Sequence, residues 1–286
     1  MMMTKTLSNS RLGGGLLMAL MLTLALLSTA CNGHSGNNKG DGDNTNPNNA
    51  ATNPTQEEID EKANNLFNEG TRKIANGKFE DAIAPLSEAI ELKPDFRDAY
   101  ENRALAYAAS RKFNLALEDY AEALQIGPET PEIFYNLGNL YAGHALYDEA
   151  IKTYKHSLEL KPEQPDALNN LGNCYSALGR HDEAAAVFSD MITRYPDRPE
   201  GYSNMGVVYE MQGELDKAAE SYNKAIEVDP KYPDAHAALG HMHSRKKEYS
   251  KAVEHYQMYL KKAPRDAFDR EKIESRVNQL KSRVNQ

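Results

Sequence analysis

The sequence is short of cysteine and of basic charge, and it contains no familiar catalytic motif. Its 286 residues include 33 lysines and arginines against 42 aspartates and glutamates, for a formal net charge of −9. Nucleic-acid binding relies on a basic face that neutralises phosphates, and electrostatic membrane binding relies on clustered lysines and arginines. The sequence therefore predicts neither a nucleic-acid partner nor a polybasic membrane patch.

Three common catalytic signatures are absent from the sequence: the phosphate-binding loop, Gly-x-Ser-x-Gly and His-Glu-x-x-His. We therefore expect no enzymatic activity, no small-molecule substrate and no cofactor. An enzyme whose site follows none of these patterns is the alternative.

Proline, in contrast, recurs with a fixed spacing of 34 residues. It occupies positions 94, 128, 162, 196, 230 and 264. A fixed period of this length indicates one supersecondary unit stacked on copies of itself. With the proline at position 32 of each unit, the repeats comprise residues 63–96, 97–130, 131–164, 165–198, 199–232 and 233–266.

Two apolar stripes at helical spacing divide each repeat into two helices. Position 20 is alanine in all six repeats, and position 8 is glycine in five, Ala104 being the exception. Glycine inside a helix costs about 1 kcal/mol relative to alanine, so we expect positions 8 and 20 to lie where the two helices touch. Position 18, as in Asp148 and Asp182, is mostly an N-cap type, which predicts that the second helix begins there.

In this pattern the chain resembles the tetratricopeptide repeat (TPR) family. The third repeat carries the resemblance most clearly, in Phe134-Tyr-Asn-Leu-Gly138-Asn-Leu-Tyr141, Tyr147-Asp-Glu-Ala150 and Leu158-Glu-Leu-Lys-Pro162. The resemblance implies an all-α fold, a right-handed α-solenoid of six 34-residue helix-turn-helix units over residues 63–266.

The last repeat is followed by residues 267–286, which carry no seventh copy. Apolar residues still recur there at helical spacing, at Phe268, Ile273, Val277 and Leu280. This spacing predicts a helix that caps the end of the array.

Four histidines cluster in the last repeat, at His236, His241, His243 and His255. A zinc site needs ligands that converge on one point. His236 and His243 share the core-facing stripe, whereas His241 falls on the groove side. We therefore predict no metal site and interpret the histidines as solvated residues of an end repeat.

The first 30 residues have the features of an export signal. A basic start precedes an apolar stretch at residues 12–27, and Ser28-Thr29-Ala30 supplies small residues before Cys31. The segment resembles the lipobox of bacterial lipoproteins, which implies cleavage before Cys31 and lipidation of its thiol. Ser28 stands where that family usually has leucine. An ordinary signal cleaved after Ala30 and an uncleaved anchor are the alternatives.

Residues 31–58 contain almost no apolar side chains and cannot bury enough surface to fold. We expect them to form a disordered polar tether. With Cys31 lipidated, Cys174 is the one remaining cysteine, so no intramolecular disulfide supports the fold. Cys174 is next to Tyr175 at a core phase of its repeat, which indicates a buried structural thiol.

In the TPR family the first helix of each repeat lines a concave face. Carboxamides dominate the groove-facing positions here, and each offers donors and an acceptor to a peptide backbone of any sequence. The resemblance therefore implies a groove for a protein or peptide partner, formed by Asn68, Asn102, Tyr135, Asn136, Asn139, Asn169, Asn170, Asn173 and Asn204. Asparagine is also common at this phase for structural reasons, which is the alternative.

Acidic residues at position 2 line one edge of the predicted groove. They are Asp98, Glu132, Asp166, Glu200 and Asp234. This edge favours a neutral or basic partner, unless the acids serve only the helix N-termini. A TPR clamp for acidic chaperone tails needs lysine and asparagine where the first repeat has Phe67 and Thr71, so we expect no binding of such tails.

Together these features predict a lipid-anchored scaffold or adaptor that is exported to the bacterial cell envelope, at the outer membrane and facing the periplasm. It would bind an extended peptide or a partner helix in its groove. The layout is similar to that of the pilotins of type IV pilus secretins, so assembly of an outer-membrane secretin is one alternative. Recruitment of cell-wall enzymes is another.

Overall fold

The computed structural model describes residues 54–267 and 269–284. The predicted signal (residues 1–30), Cys31, most of the predicted tether and Phe268 lie outside these ranges. The chain divides into two compact units, Met1–Glu129 and Thr130–Gln286.

The described part of each unit consists of helices joined by short loops. In the first unit they are α1 (Gln56–Ala75), α2 (Phe79–Leu92), α3 (Arg97–Ala109) and α4 (Phe113–Ile126). In the second unit they are α5 (Pro131–Gly143), α6 (Tyr147–Leu160), α7 (Pro165–Ala177), α8 (His181–Arg194), α9 (Pro199–Met211), α10 (Leu215–Val228), α11 (Pro233–Arg245), α12 (Tyr249–Lys262) and α13 (Arg270–Val284). The described residues contain no strand, and the predicted all-α array of six helix pairs is confirmed.

Helix α1 begins earlier than the sequence predicts. The Thr55 hydroxyl accepts a hydrogen bond from the backbone N–H of Glu58 at 3.2 Å, and the Glu58 carboxylate accepts one from the backbone N–H of Thr55 at 2.7 Å. This reciprocal capping box fixes the start of the helix at Gln56. Residues 56–58, which were assigned to the tether, therefore belong to α1.

The turn inside each repeat places its position 15 in the left-handed backbone region. Three of these residues are glycines with φ between +71° and +80°, and three are Arg111, Ala145 and Lys247 with φ of 60°, 58° and 61°. In the third repeat the N–H of Leu146 bonds the carbonyl of Tyr141 at 2.9 Å, the long-range bond of a Schellman turn. The same bond recurs in all six repeats.

This turn explains why the predicted N-cap at position 18 is wrong. The residue that closes the Schellman turn, position 16, is also the N-cap of the second helix, as at Lys78 and Arg180. Its carbonyl accepts the first helical bond, from Ala82 to Lys78 at 3.2 Å. The second helix therefore starts two residues earlier, and the acids at position 18 lie in its first turn.

Four of the five glycines at position 8 admit an aromatic ring from the second helix, and Gly70 admits the Leu86 side chain. A Cβ atom on Gly138 would lie 2.5 Å from the ring of Tyr154, and one on Gly172 would lie 2.5 Å from the ring of Phe188. The predicted close approach is real, but the nearest neighbour of position 8 is the side chain at position 24 rather than the alanine at position 20. The position-20 alanines are fully buried.

Helix α13 covers the last helix pair, as predicted for the capping helix. Ile273, Val277 and Leu280 are buried in one cluster with Tyr256 and Tyr259 of α12. The guanidinium of Arg270 donates to the carbonyl oxygens at the end of α12, including that of Leu260 at 2.8 Å. A cation at a helix C-terminus stabilises the unpaired carbonyls there.

Candidate functional site

The predicted groove residues lie on the first helices of the repeats. Asn68 and Asn102 belong to α1 and α3 of the first unit, and the other seven belong to α5, α7 and α9 of the second. Asn68, Asn139 and Asn173 are exposed, and the others are half-buried.

Three of the asparagines bond the preceding first helix. The Nδ2 of Asn102 donates to the Thr71 hydroxyl at 2.8 Å in the first unit. In the second unit the Nδ2 of Asn170 donates to the Oδ1 of Asn139 at 2.9 Å, and the Nδ2 of Asn204 donates to the Oδ1 of Asn169 at 2.7 Å. These three hydrogen bonds therefore tie neighbouring repeats together, a structural role that the sequence analysis did not predict.

A pocket opens between α5 and α7 in the second unit. Its volume is about 330 Å³, and it is lined by Asn139, Ala142, Tyr147, Tyr154, Asn170, Asn173, Cys174 and Ala177. The Tyr154 hydroxyl donates to Asn139 Oδ1 at 2.7 Å. The structure thus brings together three of the predicted groove asparagines and adds apolar and aromatic residues that the sequence analysis left out.

Burial favours the uncharged form of two groups in the lining of this pocket, Cys174 and Tyr154. Burial raises the pKa of the Cys174 thiol to about 11, and burial also raises the pKa of the Tyr154 hydroxyl. Cys174 is a free, buried cysteine, as predicted. The pocket therefore offers carboxamides and apolar surface without a formal charge.

The acidic edge is partly neutralised by residues of its own unit. Asp166 and Glu200 both contact the guanidinium of Arg198, at 2.8 and 3.1 Å. Glu132 lies 3.9 Å from the ammonium of Lys161. These exposed pairs reduce the field of the edge without reversing its sign, since exposed ion pairs interact weakly.

In the first unit, an ion pair between the half-buried Arg103 and the buried Asp119 joins α3 to α4. Two guanidinium nitrogens of Arg103 donate to the Asp119 carboxylate at 2.8 Å each, and a third donates to the Ser87 hydroxyl at 3.0 Å. Burial raises the pKa of Asp119, against the opposing effect of Arg103. The sequence signal for this pair was a charged residue at two repeat positions that are mostly uncharged in the other repeats.

The histidines of the last repeat are less solvated than predicted. His236 is 5% exposed, with its Nδ1 3.1 Å from the Nδ1 of His255, and the ring of His243 stacks on that of His255. His241 lies apart and bonds the Tyr256 hydroxyl at 2.8 Å. His236 occupies position 4 of its repeat, which faces the core, and it is therefore buried rather than solvated as predicted. Within the described residues, no three potential ligands converge on a metal position.

No helix in residues 54–267 and 269–284 combines the length and hydropathy needed to cross a bilayer.

Family models match most of the array. Models described as TPR repeat match residues 70–110, 111–144 and 211–247. Models described as tetratricopeptide repeat match residues 135–199 and 235–268. A search of curated proteins found no match to the sequence.

Solved structures with the same fold include YrrB, PilF and PilW. YrrB, described as a TPR protein with an unusual peptide-binding site, is 26% identical, with a TM-score of 0.54 over 66% of this chain and 95% of YrrB. PilF of Pseudomonas aeruginosa is 19% identical, with a TM-score of 0.59 over 76% of this chain and 99% of PilF. PilW, described as a type IV pilus biogenesis factor, is 19% identical, with a TM-score of 0.60 over 72% and 95%.

The repeat period, the glycine-to-ring packing, the Schellman turn in each helix pair and the matching models agree with one another. The chain belongs to the tetratricopeptide repeat family, whose members act as protein–protein interaction scaffolds.

Proposed function

We propose that the chain is a membrane-anchored scaffold or adaptor of the bacterial envelope, which binds an extended segment of a partner protein on the first helices of its repeats. The observation that carries the binding role is the carboxamide-lined pocket between α5 and α7. Pockets that orient a ligand combine apolar surface with a few placed polar groups, and this lining has both. The peptide-binding site described for YrrB supports the same class of ligand.

The membrane anchor rests on the sequence before the array. An apolar stretch, three small residues and Cys31 follow one another, and a polar segment separates them from the first helix. Lipidation of Cys31 would hold the array near a membrane while leaving its first helices accessible. Mass spectrometry of the protein purified from membranes tests this step. An unmodified Cys31 in a membrane-associated chain would contradict the anchor and leave the binding role untouched.

A matched pair of substitutions tests the binding role. Asn173 is exposed on the first helix α7, and Asn223 is exposed on the second helix α10 of the same unit. Asn173→Arg and Asn223→Arg add the same charge and bulk to different faces. In a crosslinked capture from native envelopes, we expect Asn173→Arg to lose the partner and Asn223→Arg to keep it. Capture that is equal for both variants would place recognition away from the first helices.

Assembly of an outer-membrane secretin is a second candidate role. PilF and PilW share the fold over nearly their whole length, and at 19% identity this likeness establishes the fold alone. The order of signal, tether and six repeats is the feature that favours this role. A deletion strain distinguishes the roles, because loss of pili with a monomeric secretin indicates secretin assembly. Altered cell shape or lysis indicates recruitment of cell-wall enzymes.

A further inference from the structure

The pocket between α5 and α7 has the size of a single side-chain site. Its volume of about 330 Å³ lies at the lower end of the roughly 300–1,000 Å³ found for small-molecule sites. Ala142, Cys174 and Ala177 give its lining a small apolar surface, and Tyr147 and Tyr154 supply two rings. Most of the lining residues are therefore apolar or aromatic, which favours an apolar side chain in the pocket, while the three carboxamides remain available to a backbone.

The hydrogen bonds inside the pocket decide which polar atoms remain for a ligand. The Oδ1 of Asn139 already accepts two hydrogen bonds, from the Tyr154 hydroxyl at 2.7 Å and from Asn170 Nδ2 at 2.9 Å. Asn139 is therefore left with its Nδ2 as a donor, and Asn170 with its Oδ1 as an acceptor. One donor and one acceptor side by side complement the carbonyl and the N–H of a peptide backbone.

Asn173 adds a third carboxamide to the same site. It lies on α7, one helical turn after Asn170, and its side chain is exposed. Within the described chain it forms no side-chain hydrogen bond, so both its donors and its acceptor are open to a ligand. An extended backbone can therefore be held at more than one point beside the apolar pocket.

Charge complementarity limits the partner further. The lining contains no lysine or arginine to receive a carboxylate. At positions 2, 5, 6, 9, 12 and 13 of α5, α7, α9 and α11, which face the predicted groove, there are five acids against one base, Arg245. The acids are Glu132, Asp166, Glu200, Glu210 and Asp234. An acidic segment or a free C-terminal carboxylate is repelled by this face, whereas a neutral or basic internal segment is not.

We infer that this pocket recognises an internal, neutral or basic, extended segment of a partner protein by one apolar side chain. The side chain fills the space between Ala142 and Ala177, and the adjacent backbone bonds Asn139 and Asn170. The inference rests on the proposed function and adds the chemistry of the partner to it.

A peptide selection on the purified full chain tests the inference. The probes are random twelve-residue peptides, acetylated and amidated so that no terminal charge contributes. We expect the selected peptides to share one leucine, methionine or phenylalanine and to be poor in acids. Replacing that residue by alanine in a synthetic peptide should weaken binding about tenfold to a hundredfold in fluorescence anisotropy, as expected for losing one buried apolar side chain.

A matched pair of variants links the apolar residue to the pocket. Ala177 and Ala109 are both exposed at position 13 of their repeats, on α7 and α3. Ala177→Phe should fill the pocket and weaken the selected peptide at least tenfold, whereas Ala109→Phe should change its affinity less than twofold. Far-UV circular dichroism establishes that both variants are folded, and the alanine-substituted peptide tests the same contact with the unmodified protein.

Four results would overturn the inference: no selected peptide, selection without a shared apolar residue, preference for acidic or free C-terminal peptides, or equal affinity of the two alanine variants. Each of these is compatible with loss of envelope partners in Asn173→Arg, so the proposed function can stand when the peptide chemistry fails. Equal capture by Asn173→Arg and Asn223→Arg would instead remove the proposed function.

Discussion

The buried pair of Arg103 and Asp119 gives the sharpest test of the energetics. The side chains are 17% and 6% exposed, and the guanidinium bonds Asp119 twice and Ser87 once. Removing one partner leaves the other buried and unpaired, so Arg103→Leu or Asp119→Ala should each lower the free energy of unfolding by about 3–5 kcal/mol. The third repeat has Leu137 and Thr153 at the same two positions.

The double variant Arg103→Leu/Asp119→Thr copies that uncharged pair into the second repeat. Burial raises the pKa of Asp119 although Arg103 opposes the shift. At the other partner the balance is reversed, because the hydrogen bond and charge of Asp119 raise the pKa of Arg103 against the effect of burial. Over the pair, desolvation and attraction therefore largely cancel. We therefore expect the double variant to lie within about 1 kcal/mol of the wild type, or above it. The effects of the single substitutions would then be strongly non-additive.

Urea denaturation followed by far-UV circular dichroism measures these differences, with hydrogen exchange of α3 and α4 to localise them. The control is Lys112→Ala, which breaks the exposed pair with Glu80 at 2.6 Å in the same unit. Its cost should be below about 1 kcal/mol. A double variant as unstable as the sum of the single variants would refute the reasoning, because it would mean that each charge contributes independently.

The remaining predictions concern four residues of the second unit. Ala145→Gly should raise the free energy of unfolding by about 1 kcal/mol because φ is 58° there, and Gly179→Ala should lower it by about 1–2 kcal/mol, both measured in urea. Gly172→Ala should cost about 1–3 kcal/mol, since its Cβ would lie 2.5 Å from the Phe188 ring, and an unchanged urea midpoint would contradict that packing. Burial, with the neighbouring histidines adding to it, lowers the pKa of His255 from 6.5 to about 4. The unfolded chain then binds more protons between these values, so stability should fall by about 1–2 kcal/mol from pH 6.5 to pH 4, after allowance for solvent screening. In the variant His255→Val, the urea midpoint should change less between pH 6.5 and pH 4 than it does in the wild type.

The sequence predicts the helix pairs well because their determinants are local and periodic. Three residue types recur at fixed positions of the repeat: the prolines, the alanines at position 20 and the glycines at position 8. Each is required by the packing inside one repeat. The predicted start of the second helix is two residues late, because the residue that closes the Schellman turn is also the N-cap. In three repeats the left-handed residue of that turn is Arg111, Ala145 or Lys247 rather than glycine. Residue type alone does not reveal the left-handed backbone at those positions.

The candidate site was less predictable, because its chemistry depends on distances between repeats. Asn170 and Asn173 look alike in the sequence, yet one bonds Asn139 and the other is open to solvent. The burial of the histidines could not be predicted from the sequence either. His236 occupies a core phase in an end repeat, and only the packing of His255 and its neighbours decides that it is buried.

Helix α13 also has a consequence for how many copies of the chain can join. Ile273, Val277 and Leu280 cover the side of α12 on which the first helix of a further repeat would otherwise pack. An uncovered face of that kind accepts the matching element of a second molecule, and such head-to-tail contacts continue into open filaments when they do not close into rings. The fifteen residues of α13 therefore occupy the face on which a further repeat would pack, so head-to-tail stacking at this end of the array would require α13 to be displaced.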